Sequence, residues 1–177
     1  MTPEQERHDI THAVGECLMT WAMVERDISI LYCECFGDSH KAGAGIHFAV
    51  FDSVISIDAR MAMIAAALKW NAALDVAPIN PFTAFLAEWE ILRKTIRKKY
   101  NKRNEVAHSD IIQYPGSDGA QVVELAPFPT FTNSAFQTKL SHRQLMERKN
   151  AFAALAREIV EFSDSIRAAQ ALLPRSP

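Results

Sequence analysis

Apolar residues recur at spacings of three and four through most of the chain, the period of one face of an α-helix. Ile10, Val14, Leu18, Trp21, Ile28 and Tyr32 form the first such stripe, with Glu25 lying inside it. One long amphipathic helix is therefore predicted to run to about Phe36. Thr2-Pro3-Glu4-Gln5 supplies its start: a capping hydroxyl, a proline at the first helical position and a glutamine three residues after the cap. The glycines between Gly37 and Gly45, with Asp38 and Ser39, read as a loop.

A second helix is predicted over roughly Ile46 to Trp70, with Val50, Val54, Ile57, Met61, Ile64 and Leu68 on one face and Asp58 and Arg60 beside it. Asn71 to Asn80 has little periodicity. Asn80-Pro81 then offers a cap and a first-turn proline for a third helix, whose stripe is Phe85, Trp89, Leu92 and Ile96 and which is predicted to end at or near His108. After Ser109 the pattern changes. Ile111 to Tyr114 and Gln121 to Leu125 flank the turn-rich Pro115-Gly116-Ser117-Asp118-Gly119, which predicts a small β-hairpin around 110–126. A loop through Pro127 and Pro129 follows. Ser141-His142-Arg143-Gln144 is a capping-box pattern, and Leu145, Phe152, Ile159, Phe162 and Ile166 carry a fourth long helix to about Leu173. The fold class expected is mainly all-α: a four-to-five-helix up-and-down bundle with a hairpin insert.

With 177 residues, 49% of them apolar and 23% charged, the chain suits one globular domain over 1–177 rather than a disordered segment. Three cysteines, Cys17, Cys33 and Cys35, are odd in number and sit in apolar segments, which argues against a secreted disulfide framework. The N-terminus lacks a basic start and apolar stretch, and no run of about 18 apolar residues is present. A cytoplasmic protein with no membrane partner is expected.

The net charge of -2 gives no global attraction to nucleic acid. Locally the balance differs: seven of the nineteen Lys and Arg residues (Arg93, Lys94, Arg97, Lys98, Lys99, Lys102 and Arg103) fall in one short stretch with no acid until Glu105. A basic patch on an acidic body suggests a polyanion docked at one place, although a run of charges also suits a solvated helix face.

At about 100° per residue, Arg103 points within about 40° of Trp89, Leu92 and Ile96, so its guanidinium leaves the helix on the side facing the other helices. Glu25 and Asp58 are its candidate partners, and Glu25 suits Arg60 equally well. Asn104 and His108 share a side with Tyr100, Arg97 and Arg93, whereas Arg103 and His108 diverge by about 140°. Either the helix unwinds near Val106, or a site using both residues joins two subunits across a two-fold axis.

Arg103-Asn104-x-x-x-His108 resembles the Arg, polar residue, spacer, His motif of the HEPN superfamily of four-to-five-helix bundles. Gly15 to Tyr32, with a glycine, a tryptophan and a stripe glutamate, is similar to the family's first helix. The stretch from Val54 to Leu68 suits a second helix with an Asp-Ala-Arg step. Together the resemblance spans about residues 10 to 110 and the last helix. It implies a homodimeric, metal-independent endoribonuclease needing no cofactor, in a defence or toxin-antitoxin system with an antitoxin or other protein partner. Catalytic Arg103, Asn104 and His108 would be supported by Glu25 or Asp58, with Arg93, Arg97, Tyr100 and Lys102 contacting RNA. The chemistry agrees with the residue types. Metal-free cleavage needs a base for the 2′-hydroxyl, a cation for the phosphate and an acid for the leaving oxygen. Imidazole titrates near neutrality and guanidinium grips phosphate oxygens in pairs.

Other readings fit the same residues. Arg103 to His108 suits a basic helix end complementing its dipole, with Arg103 in a structural ion pair, in a catalytically silent module that binds RNA or a protein. His8, His12 and Glu16 recur at four-residue spacing as ligands of a metal-binding bundle would, and Cys33-x-Cys35 with His40 and His47 is a weaker set.

Overall fold

In a computed structural model of the protein, residues 2–37, 44–74, 80–127 and 139–171 are described. The chain is mainly helical: α1 (Pro3–Glu34), α2 (Ala44–Ser53), α3 (Ile57–Ala73), α4 (Phe82–Ala107), β1 (Ser109–Pro115), β2 (Gln121–Pro127) and α5 (His142–Gln170). The hairpin expected between the third and fourth long helices is present. Most of the loop predicted from Gly37 to Gly45, much of 71–80, the loop after Pro127 and the end of the last helix near Leu173 lie outside the described residues.

Capping chemistry sets the helix ends. Thr2 Oγ1 accepts the Gln5 N–H at 3.2 Å, and Pro3 opens α1 without needing a donor. Gly37, at φ 66°, terminates α1 in the left-handed region that favours glycine. Asn80 serves two helices at once. Its Oδ1 accepts from Phe82 N at 3.0 Å, while its Nδ2 donates to the carbonyls of Asn71 and Leu74, each at 2.9 Å. At α5 the Ser141 and Gln144 side chains cap each other's backbone N–H, as the sequence pattern predicts.

One expectation is corrected: the second helix is two helices, interrupted at residues 54–56. The Ser56 hydroxyl accepts from Ala59 N at 3.4 Å and caps α3, with Ser56 itself extended at φ -75°, ψ 123°. Arg60 reaches back, donating from Nε to the Val54 carbonyl at 2.6 Å and from Nη2 to the Asp52 carbonyl at 3.2 Å. A cation on the last carbonyls of α2 satisfies groups that the break exposes. The apolar period runs through the interruption, so periodicity alone does not reveal it.

The chain separates into two compact units, residues 1–23 with 98–154, and residues 24–97 with 155–177. In the first, Ile10, Cys17, Trp21, Val106, Val123, Leu125, Leu145 and Phe152 are buried, and the Trp21 ring meets Phe152 edge-on at 5.3 Å. In the second, Ile28, Leu31, Phe51, Ile64, Leu68, Trp89, Ile159 and Phe162 are buried, with Trp89 stacked on Phe162 at 6.3 Å. Burying each large apolar side chain contributes about 1.5–3 kcal/mol. Among the described residues no helix is long and apolar enough to cross a membrane.

The hairpin pairs Ser109 with Pro127 through Pro115 with Gln121. Leu125 exchanges both backbone bonds with Leu140 on the far side of β2, at 3.0 and 2.8 Å. Its turn closes through Gly116 N to Ala120 O at 2.7 Å and uses Gly119 at φ 79°.

Candidate active site

Helix α4 runs unbroken through Ala107, and His108 N still donates to Asn104 O at 3.0 Å, one normal helical step. The helix does not unwind near Val106. His108 is the single residue between α4 and β1, and its side chain is exposed. Ser109 Oγ turns back to accompany the switch, donating to the Glu105 carbonyl. A side chain at such a junction is aimed by two rigid elements.

Arg103 is half-buried. Its Nη1 donates to Asn104 Oδ1 at 3.2 Å, so the two motif residues touch. Its Nε is buried without a hydrogen-bond partner, and among the described residues the guanidinium forms no ion pair. Asp58 is not its partner, because Arg97 takes that carboxylate in an ion pair. Glu25 is half-buried on α1, in the other unit, with no ion pair among the described residues. Arg60 bonds backbone carbonyls rather than Glu25.

The residues expected to contact RNA are largely engaged elsewhere. Arg93 pairs with Glu90 at 3.5 Å, Lys102 with Glu105 at 2.8 Å, and Arg97 with Asp58. Tyr100 lies against Trp21, ring centroids 5.9 Å apart. Lys94, Lys98 and Lys99 are the members of the basic run, apart from Arg103, that form no ion pair among the described residues. The acids that neutralise the others come from other turns and another helix, which a linear reading of charge does not see.

Glu105 and Arg148 hold this segment. Glu105 is 9% exposed, and its two carboxylate oxygens accept from Lys102 Nζ and Arg148 Nη2. Arg148 Nη1 also donates to the Lys102 carbonyl at 3.0 Å. Residues 102–105 are thereby tied to α5 at their backbone and side chains. Arg148 lies 43 residues from Glu105 with no local pattern to mark it.

The other candidate ligands are accounted for differently. Glu16 accepts from Lys149 Nζ at 2.8 Å and lies 3.7 Å from His12 Nδ1. The Lys149 hydrogen bond holds its carboxyl below the usual range. Cys17 Sγ donates to the Leu145 carbonyl, and burial raises its thiol pKa. Cys35 is pushed up to about 12, by burial first and then by the charges of Glu34 and Cys33. His40 lies outside the described residues. Among the described residues no group of three or more His, Cys, Asp or Glu side chains is placed to hold a metal ion.

The chain matches no family profile, no curated protein and no solved structure.

Proposed function

We propose that the protein is a metal-independent endoribonuclease of the HEPN type, acting as a homodimer. One observation carries this reading: Arg103 holds the neighbouring amide of Asn104 but has no carboxylate among the described residues, leaving a half-buried cation beside the helix end that presents His108. A structural ion pair, the main alternative role for Arg103, is absent among the described residues. A guanidinium so placed suits a phosphate.

In the reaction, the 2′-oxygen attacks phosphorus as His108 accepts its proton, the bond to the 5′-oxygen breaks, and the imidazolium so formed returns the proton to that oxygen. Arg103 offsets charge on the non-bridging oxygens, and Asn104 orients the guanidinium. The products are a 2′,3′-cyclic phosphate and a 5′-hydroxyl. Because Arg103 and His108 diverge by about 140° on a continuous helix, the working site pairs Arg103 of one copy with His108 of a second. Lys94, Lys98 and Lys99 take the role of RNA contacts. A place in a defence or toxin-antitoxin system, with an antitoxin or other protein partner, follows from the resemblance of the motif.

Purified protein incubated with mixed RNA in EDTA tests the reading, with product ends analysed. Cyclic-phosphate ends that vanish with His108→Ala are expected. Their absence from every RNA tested would leave a silent helical module that binds RNA or a protein partner.

A further inference from the structure

Hydroxyls beyond the first turn of a helix in this protein follow a habit. Thr11, Thr20, Ser29, Thr95 and Ser165 each donate to the carbonyl four residues back, and Ser53 to the one three back. This back-bond satisfies a hydroxyl at no cost in packing. Ser163 on α5 departs from it. Its side chain is 3% exposed, and Oγ is buried without a hydrogen-bond partner among the described residues. Leaving a buried hydroxyl unpaired is unfavourable, so a ligand beside it would gain by completing it.

Ser163 lines a cavity of about 210 Å³ together with Arg26, Asp27, Ile30, Val160, Asp164 and Arg167. Asp27 is the second polar group at its floor, 4% exposed. Arg26 reaches it through Nε and Nη2, at 3.3 and 3.1 Å, but both donate to the same oxygen, Oδ1. Oδ2 accepts no hydrogen bond among the described residues. At the rim, Arg167 is committed to Glu34 and Asp164, donating to Glu34 Oε1 from Nε at 2.6 Å and to Asp164 Oδ1 from Nη1 at 2.8 Å. The two lining arginines balance the two lining aspartates in charge. The cavity thus offers an idle carboxylate oxygen, an idle hydroxyl and apolar walls from Ile30 and Val160.

We propose that this cavity binds a small organic cation, a primary ammonium on a short aliphatic chain. The ammonium donates to Asp27 Oδ2 and to Ser163 Oγ, whose own proton is free to turn toward Asp27, and the chain lies against Ile30 and Val160. An ammonium carries three donors and no acceptor, which matches the two idle oxygens, Asp27 Oδ2 and Ser163 Oγ. Pockets for drug-sized ligands run to about 300–1,000 Å³, so this one takes a smaller molecule or the end of a longer one. The site lies in the unit formed by residues 24–97 and 155–177, and is independent of Arg103, Asn104 and His108.

Titration of the full chain with n-butylammonium chloride, followed by ligand-observed NMR, tests the proposal, with sodium butyrate and sodium chloride as controls. Saturable binding with a dissociation constant of about 1 mM or tighter is expected for the amine and none for butyrate. Asp27→Asn should weaken it by about tenfold or more, since the charge-assisted bond is lost. Ser163→Ala removes an unpaired hydroxyl and should raise the melting temperature of the ligand-free protein while weakening amine binding several-fold. The second variant keeps the test decisive if the first fails to fold. Absence of saturation, equal binding of butyrate, or unchanged affinity in Ser163→Ala would overturn the proposal and leave the cavity to water.

Discussion

In the proposed site Arg103 and His108, five positions apart, have separable duties, and single substitutions distinguish them. His108→Ala removes a proton-transfer group from an exposed position, so RNA cleavage should fall by about two to four orders of magnitude while RNA affinity is retained. Arg103→Lys keeps the charge but loses the planar fork, and cleavage should fall by a similar factor. Arg103→Ala should cost less than about 1 kcal/mol in thermal unfolding, because no carboxylate is stranded by its loss: Asp58 keeps Arg97. Loss of several kcal/mol in that variant would mean that Arg103 is a structural residue. The motif itself is legible in the sequence, since it depends on residue type and helical spacing. The partner of Asp58 is not, because Arg97 and Arg103 carry the same group on one helix until the packing selects one.

At the scale of the element, the end of α4 depends on α5. Arg148→Ala should destabilise the fold by about 3 kcal/mol, because Glu105 would remain buried with only Lys102 beside it. Replacing both members, Glu105→Leu with Arg148→Met, should recover most of that loss in denaturant unfolding. If the double variant is no more stable than Arg148→Ala, the pair does not act as a unit. Along α4 itself, the ion pairs sort the basic run into engaged and free cations. Lys98→Glu should therefore weaken RNA binding and reduce the salt slope by about one charge contact. Arg97→Gln should change RNA affinity little and act on stability through Asp58. Fluorescence titrations at several salt concentrations read both; equal effects of the two variants would point to charge without a track. Helix periodicity, the capping pairs and the hairpin turn were all visible in the order of residues. The break at 54–56 was not, since Arg60 capping α2 is a contact folded back across the interruption.

Acidic pH acts on the whole molecule through residues such as Glu16, whose carboxyl is held below its ordinary range by the Lys149 hydrogen bond. A carboxylate depressed in the folded state adds stability above its unfolded pKa, and that stability is lost as pH falls through the folded value. Lys149→Met should therefore flatten the decline of stability on the acid side of the carboxylate range, measured by melting temperature against pH. An unchanged slope would mean that the pair is screened by solvent. Assembly is the other property at this scale. A homodimer by light scattering at micromolar concentration is expected, and full activity in a strictly monomeric sample would overturn the two-subunit site. Sequence by itself determined the three longest helices, the caps at Thr2, Asn80 and Ser141, the hairpin and the Arg-polar-His spacing, because periodicity, turn chemistry and capping act over a few neighbouring residues. Tertiary structure alone decided that Arg148 secures Glu105, that Arg97 rather than Arg103 claims Asp58, and that Ser163, unpaired among the described residues, lines one cavity with Asp27. Those outcomes depend on which side chains meet across tens of residues, where burial and charge select among partners that look alike along the chain.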